Sequence, residues 1–145
     1  MPEHASERIR VDAPPSRCYE VAIDFERYPQ WARDVKSVTV HERDDEGRAR
    51  KVEYRAAAIG KSVNYTLEYD YSTAPESFSW KLVEGDMLRQ LDGTYRFEAD
   101  DDGTRVHYDL TVDLSAPLPG FVKRRAAGMI MGTALKELKR EIEQH

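Results

Sequence analysis

The fold turns on the stretch Ser62-Val63-Asn64-Tyr65-Thr66-Leu67-Glu68-Tyr69-Asp70-Tyr71. Val63, Tyr65, Leu67, Tyr69 and Tyr71 alternate without a break against Ser62, Asn64, Thr66, Glu68 and Asp70. A period of two with one apolar and one polar face is that of a strand in an antiparallel sheet covered on one side. The same period extends in both directions. Upstream, Val38 and Val40 alternate with polar partners, and so do Val52, Tyr54, Ala56 and Ala58 after a turn at Asp45-Glu46-Gly47. Downstream, Phe78, Trp80 and Leu82 follow the breaker Ala74-Pro75-Glu76. Leu91, Tyr95 and Phe97 follow Gly85-Asp86, with Gly93 marking a bend or bulge. Val106 to Leu114 follow the turn Asp101-Asp102-Gly103.

Helical patterns flank this all-strand middle. Ile9 and Val11 read as a first strand, closed by Pro14-Pro15. Cys18, Tyr19, Ala22 and Ile23 then recur at helical intervals from Ser16 to Ile23. Tyr28, Trp31, Ala32 and Val35 stand at i, i+3, i+4 and i+7, predicting a second short helix around Pro29. From Phe121 to His145 there is no proline, and Leu135, Leu138 and Ile142 mark the apolar side of a helix of roughly six turns. The predicted architecture is α+β: a strongly curved antiparallel sheet of six to seven strands wrapped on a long C-terminal helix, with two short helices after the first strand.

The 145 residues suit one domain, over residues 1–145, and 40% hydrophobic content is enough for a real core, which excludes disorder. The longest uncharged run, Ala126 to Leu135, is about half the ~20 residues of a membrane-spanning helix. The start Met-Pro-Glu-His-Ala-Ser-Glu carries no secretory pattern, so a cytoplasmic location is expected. One cysteine, Cys18, allows no internal disulfide, and a net charge of −5 argues against nucleic acid as a partner.

Parity then tells which side chains share the covered face. Nine of the 14 aromatic residues fall on it: Tyr54, Tyr65, Tyr69, Tyr71, Phe78, Trp80, Tyr95, Phe97 and Tyr108. A buried tyrosine hydroxyl needs a partner, at a cost of ~1–3 kcal/mol if it has none. So many inward tyrosines fit a cavity holding water or an amphipathic ligand better than a dry core. Ala126, Ala127, Gly128 and Gly132 leave space on the opposing helix. Two alternatives stand beside this: the hydroxyls reach bulk water at a rim, or the glycines let the helix lie close to the sheet. The candidate ligand-binding set is Tyr54, Tyr65, Tyr69, Trp80, Arg89, Tyr95, Tyr108, Met129 and Gly132. Arg89 falls on the inward parity counted back from Leu91, which would aim its guanidinium at a ligand oxygen. If the strand begins only at Gln90 or Leu91, Arg89 lies in an exposed loop instead.

The run Val21-Ala22-Ile23-Asp24-Phe25-Glu26-Arg27-Tyr28-Pro29-Gln30-Trp31 resembles the two-helix signature of the START-like, or SRPBCC, superfamily. Gly93-Thr94-Tyr95, Gly103-Thr104-Arg105-Val106-His107-Tyr108 and Leu118-Pro119-Gly120-Phe121 resemble its last two strands and the approach to its C-terminal helix. The similarity is greatest to the bacterial polyketide cyclase/dehydrase and coenzyme-Q-binding group. It implies a helix-grip fold, also called Bet v 1-like, with a deep cavity between sheet and long helix. The superfamily holds lipid carriers, aromatase/cyclases, hormone receptors and members without a known ligand, so the fold alone does not fix the function.

Catalytic signatures are absent: no Gly-rich phosphate loop, no Gly-x-Ser-x-Gly, no His-Glu-x-x-His. His4 and His145 lie near the ends, and His41 and His107 fall on outward parity, which argues against a metal or triad site. Cys18 reads as a small buried hydrophobe, and Asp100-Asp101-Asp102 as a solvated turn rather than a calcium site. No cofactor, metal or catalytic residue is assigned. The outward faces read as uniformly polar. Lys123-Arg124-Arg125 beside Leu118 and Phe121 reads as a solvated basic turn, with docking on an anionic membrane as the alternative. The leading expectation is a monomer or weak homodimer that binds or carries a hydrophobic aromatic, polyketide-, lipid- or isoprenoid-like molecule, without stable membrane insertion. The alternative is a polyketide aromatase/cyclase or dehydratase in which Arg89 or a tyrosine polarises a carbonyl. The third is a protein-interaction module of the ribosome-associated type.

Overall fold

The computed structural model describes residues 2–58, 61–115 and 119–144, with the side chains of Ala58 and Lys61 left aside. Leu118, part of the run leading into the last helix, and His145 lie outside the described residues. The order is β1 (Glu3–Val11), α1 (Pro15–Ala22), a 3-10 turn (Phe25–Arg27), α2 (Tyr28–Trp31), β2 (Val35–Arg43), β3 (Ala49–Ala58), β4 (Lys61–Asp70), β5 (Ser77–Gly85), β6 (Leu88–Asp100), β7 (Gly103–Leu114) and α3 (Gly120–Glu143). The strands form one seven-stranded antiparallel sheet in the order β1-β7-β6-β5-β4-β3-β2. This is the expected α+β arrangement, at the upper of the two strand counts.

Pro15 opens α1 at a position where a missing N–H costs nothing. Val35 does not belong to the second helix. Ala32 caps α2 in an extended conformation (φ −91°, ψ 104°), and Val35 begins β2, so the i+7 match is accidental. Gly47 (φ +83°) makes the β2–β3 turn, a conformation that costs a residue with a Cβ. Bulges interrupt the ladders of β2–β3, β4–β5 and β6–β7 and so help the sheet to curl.

Gly93 is not one of these bulges, contrary to the expectation from sequence. It sits in regular register opposite Trp80 on β5 and Leu110 on β7. A Cβ there would fall 2.3 Å from Trp80 Cζ2 and 2.8 Å from the Asp109 carbonyl oxygen. Glycine is required because the indole comes up against the bare backbone.

On α3 the buried residues are Ala127, Met131, Leu135, Glu137, Leu138 and Ile142. The helix runs closest to β1, with β7, α1 and α2 as its other chief neighbours. Lys139 Nζ donates to the Arg10 carbonyl of β1 at 2.9 Å, and Glu143 accepts from the Asp12 N–H at 2.9 Å. The buried Glu137 carboxylate accepts the Arg33 backbone N–H at 3.1 Å and tethers the chain after α2 to α3.

Candidate functional site

The pleat of neighbouring strands places their aromatic side chains on one face. Tyr54 stands opposite Tyr65, Tyr69 opposite Trp80, Phe78 opposite Tyr95, and Tyr95 opposite Tyr108. The rings are in contact: Trp80 lies 5.4 Å from Tyr95 and 5.8 Å from Tyr108, and Tyr95 lies 4.6 Å from Tyr108, centroid to centroid. Phe25, from the 3-10 turn, stacks on Tyr69 at 4.3 Å and closes one end of the cluster. Tyr54, Tyr69, Trp80, Tyr95 and Tyr108 are buried, and Tyr65 is partly so. The structure therefore brings together the six aromatic members of the candidate set.

Their hydroxyls divide into two groups. Tyr54 and Tyr69 share a hydrogen bond at 2.5 Å, and Tyr71 donates to the Ala49 carbonyl at 2.6 Å. Tyr28 reaches in from α2 and donates to the Ala22 carbonyl at 2.5 Å. The hydroxyls of Tyr65, Tyr95 and Tyr108 have no hydrogen-bond partner among the described residues. They are not sealed off either. Among the described residues, the side-chain polar atoms both closed to water and unpaired are Arg17 Nε and Asp113 Oδ1. Burial, aided by the Asp34 carboxylate, pushes the Tyr65 hydroxyl up to about 12. Burial alone raises Tyr95, and burial followed by the neighbouring Tyr95 and Tyr65 raises Tyr108. All three are protonated at neutral pH and available as donors.

Three members of the candidate set stand elsewhere. Arg89 is exposed. A register shift separates Leu88, opposite Leu114, from Gln90, opposite Asp113. This one-residue slip puts Leu88 as well as Leu91 against the buried Val112, Leu114 and Ala127, and it removes Arg89 from the inward row. Met129 is 64% exposed. It sits two residues from both Ala127 and Met131, which at 3.6 residues per turn places it on the opposite side of α3. Gly132 is half-buried and lies two turns before Lys139, so it shares the flank of α3 that faces β1. A Cβ at Gly128 or Gly132 would meet nothing within 4 Å.

Sequence periodicity missed Tyr28, because its spacing to Trp31 reads only as a helical pair. Burial raises its hydroxyl, and the hydroxyls of Tyr95, Tyr69, Tyr108 and Tyr71 add to the effect, which marks Tyr28 as part of the same cluster. The expectation of uniformly polar outward faces fails on α3, where Phe121, Met129 and Ile130 are exposed along the first half of the helix. His41 and His107 lie away from the cluster. His41 pairs with Glu53 at 2.7 Å and His107 with Glu98 at 3.1 Å on the outer face. Among the described residues no group of three His, Cys, Asp or Glu is placed to hold a metal ion. A cleft of about 290 Å³ between α1, α2 and the end of α3 is lined by Arg17, Glu20, Asp24, Arg27 and Glu141 together with Val21 and Trp31.

A long helix gripped by a seven-stranded antiparallel sheet, with short helices after β1, is the START-like, Bet v 1-like helix-grip fold. The chain belongs to the family described as polyketide cyclase / dehydrase and lipid transport, which it matches over residues 2–143. It is similar to a START superfamily protein from Mycobacterium smegmatis, at 25% identity and a TM-score of 0.91, over 97% of each chain. A protein from Thermus thermophilus is 27% identical, with a TM-score of 0.82 over 97% of each chain. The Zhui aromatase/cyclase from Streptomyces sp. R1128 shares the fold at 16% identity and a TM-score of 0.85, over 99% of this chain and 95% of its own. No functionally curated protein matches the chain. Among the described residues no helix is long and apolar enough to cross a membrane.

Proposed function

We propose that this protein binds or carries a hydrophobic small molecule in the space between the concave face of the sheet and α3. The observation that carries the reading is the convergence of Tyr54, Tyr65, Tyr69, Trp80, Tyr95 and Tyr108 on one face while α3 lies to the β1 side of it. Large rigid rings offer a ligand apolar area at little cost in side-chain entropy, and hydroxyls left without protein partners suit an amphipathic occupant. Membership of a family of cyclases, dehydrases and lipid carriers supports the same reading. On this reading the protein acts as one domain over residues 1–145, as a monomer or weak homodimer in the cytoplasm, and its net charge of −5 speaks against nucleic acid as a partner.

A cyclase or dehydratase would use the same face. It needs a group to remove a proton as well as one to polarise a carbonyl. Protonated tyrosines supply the second and not the first, and Asp34, whose charge reaches Tyr65, is exposed, as is Arg89. We therefore favour carriage over catalysis. Native mass spectrometry of freshly purified protein, followed by titration with polyaromatic compounds, tests the reading. One-to-one complexes are expected, and their absence across the whole series overturns it.

A further inference from the structure

The first half of α3 spends its large apolar side chains on the solvent side. From Gly120 to Ile130 the buried residue is Ala127, while Phe121, Met129 and Ile130 are 65%, 64% and 42% exposed. An amphipathic helix ordinarily turns such residues to the core. Here the inward contact is small: Ala127 packs with Val112 and Leu114 in a cluster apart from the main core. Val83 is the one other large hydrophobic residue so exposed among the described residues.

The charge on the same stretch is equally one-sided. Residues 120–136 carry Lys123, Arg124, Arg125 and Lys136 and no Asp or Glu, within a chain of net charge −5. Lys123 is tied to the Leu114 carbonyl at 3.1 Å. Arg124, Arg125 and Lys136 are exposed, and neither arginine has an ion-pair partner among the described residues. Phe121, Arg125 and Met129 are spaced four residues apart and so form one row along the helix. Lys136 continues that row, roughly 22 Å from its start.

An anionic bilayer surface matches this row. The ring and the thioether can sink to the boundary between headgroups and acyl chains, while the cations beside them stay level with the lipid phosphates. A protein partner matches it less well. Stable interfaces gather about 20–30 residues a side around a centre depleted of lysine. Here three apolar side chains are interleaved with cations. The acidic remainder of the molecule is repelled by an anionic bilayer, which orients α3 toward it.

We propose that the exposed row on the first half of α3 docks this protein reversibly on an anionic membrane surface, with Phe121 and Met129 inserted at the interface and Arg124, Arg125 and Lys136 on lipid phosphates. The helix lies on the bilayer and does not cross it. This goes beyond the ligand-binding reading and does not depend on it.

Flotation of the full chain with two kinds of vesicle tests it: phosphatidylglycerol mixed with phosphatidylcholine, and phosphatidylcholine alone. At about 0.1 M NaCl the protein should bind the anionic vesicles at least about tenfold more tightly, and about 0.5 M salt should release it. Arg124→Glu/Arg125→Glu should weaken binding at least about tenfold. Phe121→Ser/Met129→Ser, which leaves the charge unchanged, should weaken it at least about fivefold. Arg8→Glu/Arg55→Glu makes the same change of charge at exposed positions on the sheet and should weaken it no more than about twofold. On the unaltered chain, a spin label in the anionic lipid should bleach the methyl signal of Met129 more than that of the buried Met131. That comparison decides alone if an α3 variant loses its fold. A parent chain that ignores anionic vesicles overturns the proposal. Equal losses in the helix and sheet charge variants overturn it too, as does equal bleaching of the two methyl signals. A concentration-dependent dimer that Phe121→Ser/Met129→Ser dissociates, without flotation of the parent, also overturns it and assigns the face to a second copy of the chain.

Discussion

Gly93→Ala is the smallest change that should disturb both the fold and the pocket. The new Cβ would sit 2.3 Å from Trp80 Cζ2, 2.7 Å from Cε2 and 2.8 Å from the Asp109 carbonyl oxygen. Carbon atoms pack at about 3.5–4.0 Å, so the indole must retreat by more than about 1 Å. It has nowhere to go cheaply, because Tyr69, Phe78, Tyr95 and Tyr108 surround it at 5.4–6.0 Å between centroids. The carbonyl contact is with backbone, and no side-chain rotation relieves it. Overpacking of this kind costs ~1–3 kcal/mol. The smaller unfolded-state entropy of alanine offsets ~0.4–1 kcal/mol of that. A net loss of about 1–2 kcal/mol remains, or a fall of a few degrees in Tm. Urea unfolding followed by far-UV circular dichroism measures the loss. A Trp31→Phe background leaves Trp80 as the sole reporter of the two tryptophans. Unchanged stability with unchanged Trp80 emission would refute the close approach of indole to backbone.

Seven of the eight tyrosines, Tyr28, Tyr54, Tyr65, Tyr69, Tyr71, Tyr95 and Tyr108, have hydroxyls raised by burial above their ordinary value near 10. The unfolded chain therefore releases these protons first, so stability should hold up to pH ~10 and fall steeply as pH rises through 10 to 12 and beyond. Denaturation midpoints measured across that range check this, and a flat profile would contradict it. Glu137→Ala strands the Arg33 N–H beside α3 and should cost ~1–3 kcal/mol in urea unfolding, whereas Glu137→Gln, which keeps an acceptor, should cost less. Arg89→Ala should change both stability and ligand affinity little, within ~0.5 kcal/mol for an exposed side chain; a tenfold loss of affinity would mean that the guanidinium reaches the pocket.

Much of the fold was legible because alternation is hard to mimic. The unbroken run from Val63 to Tyr69 fixes which face of β4 is buried, and neighbouring strands inherit their parity from it. The errors fall where one residue breaks a period. A single slip between Leu88 and Gln90 turns Arg89 outward, and no residue type announces it. Tyr28, Trp31, Ala32 and Val35 satisfy helical spacing, yet the backbone leaves the helix at Ala32. Met129 was misplaced because small neighbours on α3 blurred which side is buried, while Ala127, Met131 and Leu135 set the true stripe. Glycine at position 93 signals either a bulge or a close approach, and only the position of the Trp80 ring decides between them. For the site, parity was sufficient to find six rings and could not reveal which hydroxyls already had partners. That depends on Ala22, Ala49 and the Tyr54–Tyr69 pairing across three elements.

The claim that the aromatic face of the sheet is a ligand pocket is tested most directly by nuclear magnetic resonance of the indole N–H groups. The two tryptophans give two cross-peaks, assigned by Trp31→Phe. Titration with fluorenone should shift the Trp80 signal saturably at one equivalent and leave that of Trp31, which packs on Tyr28 at 4.8 Å at the edge of the cluster, nearly unmoved. A Trp80 signal that stays in place while the ligand binds elsewhere, or that never saturates, would contradict the account.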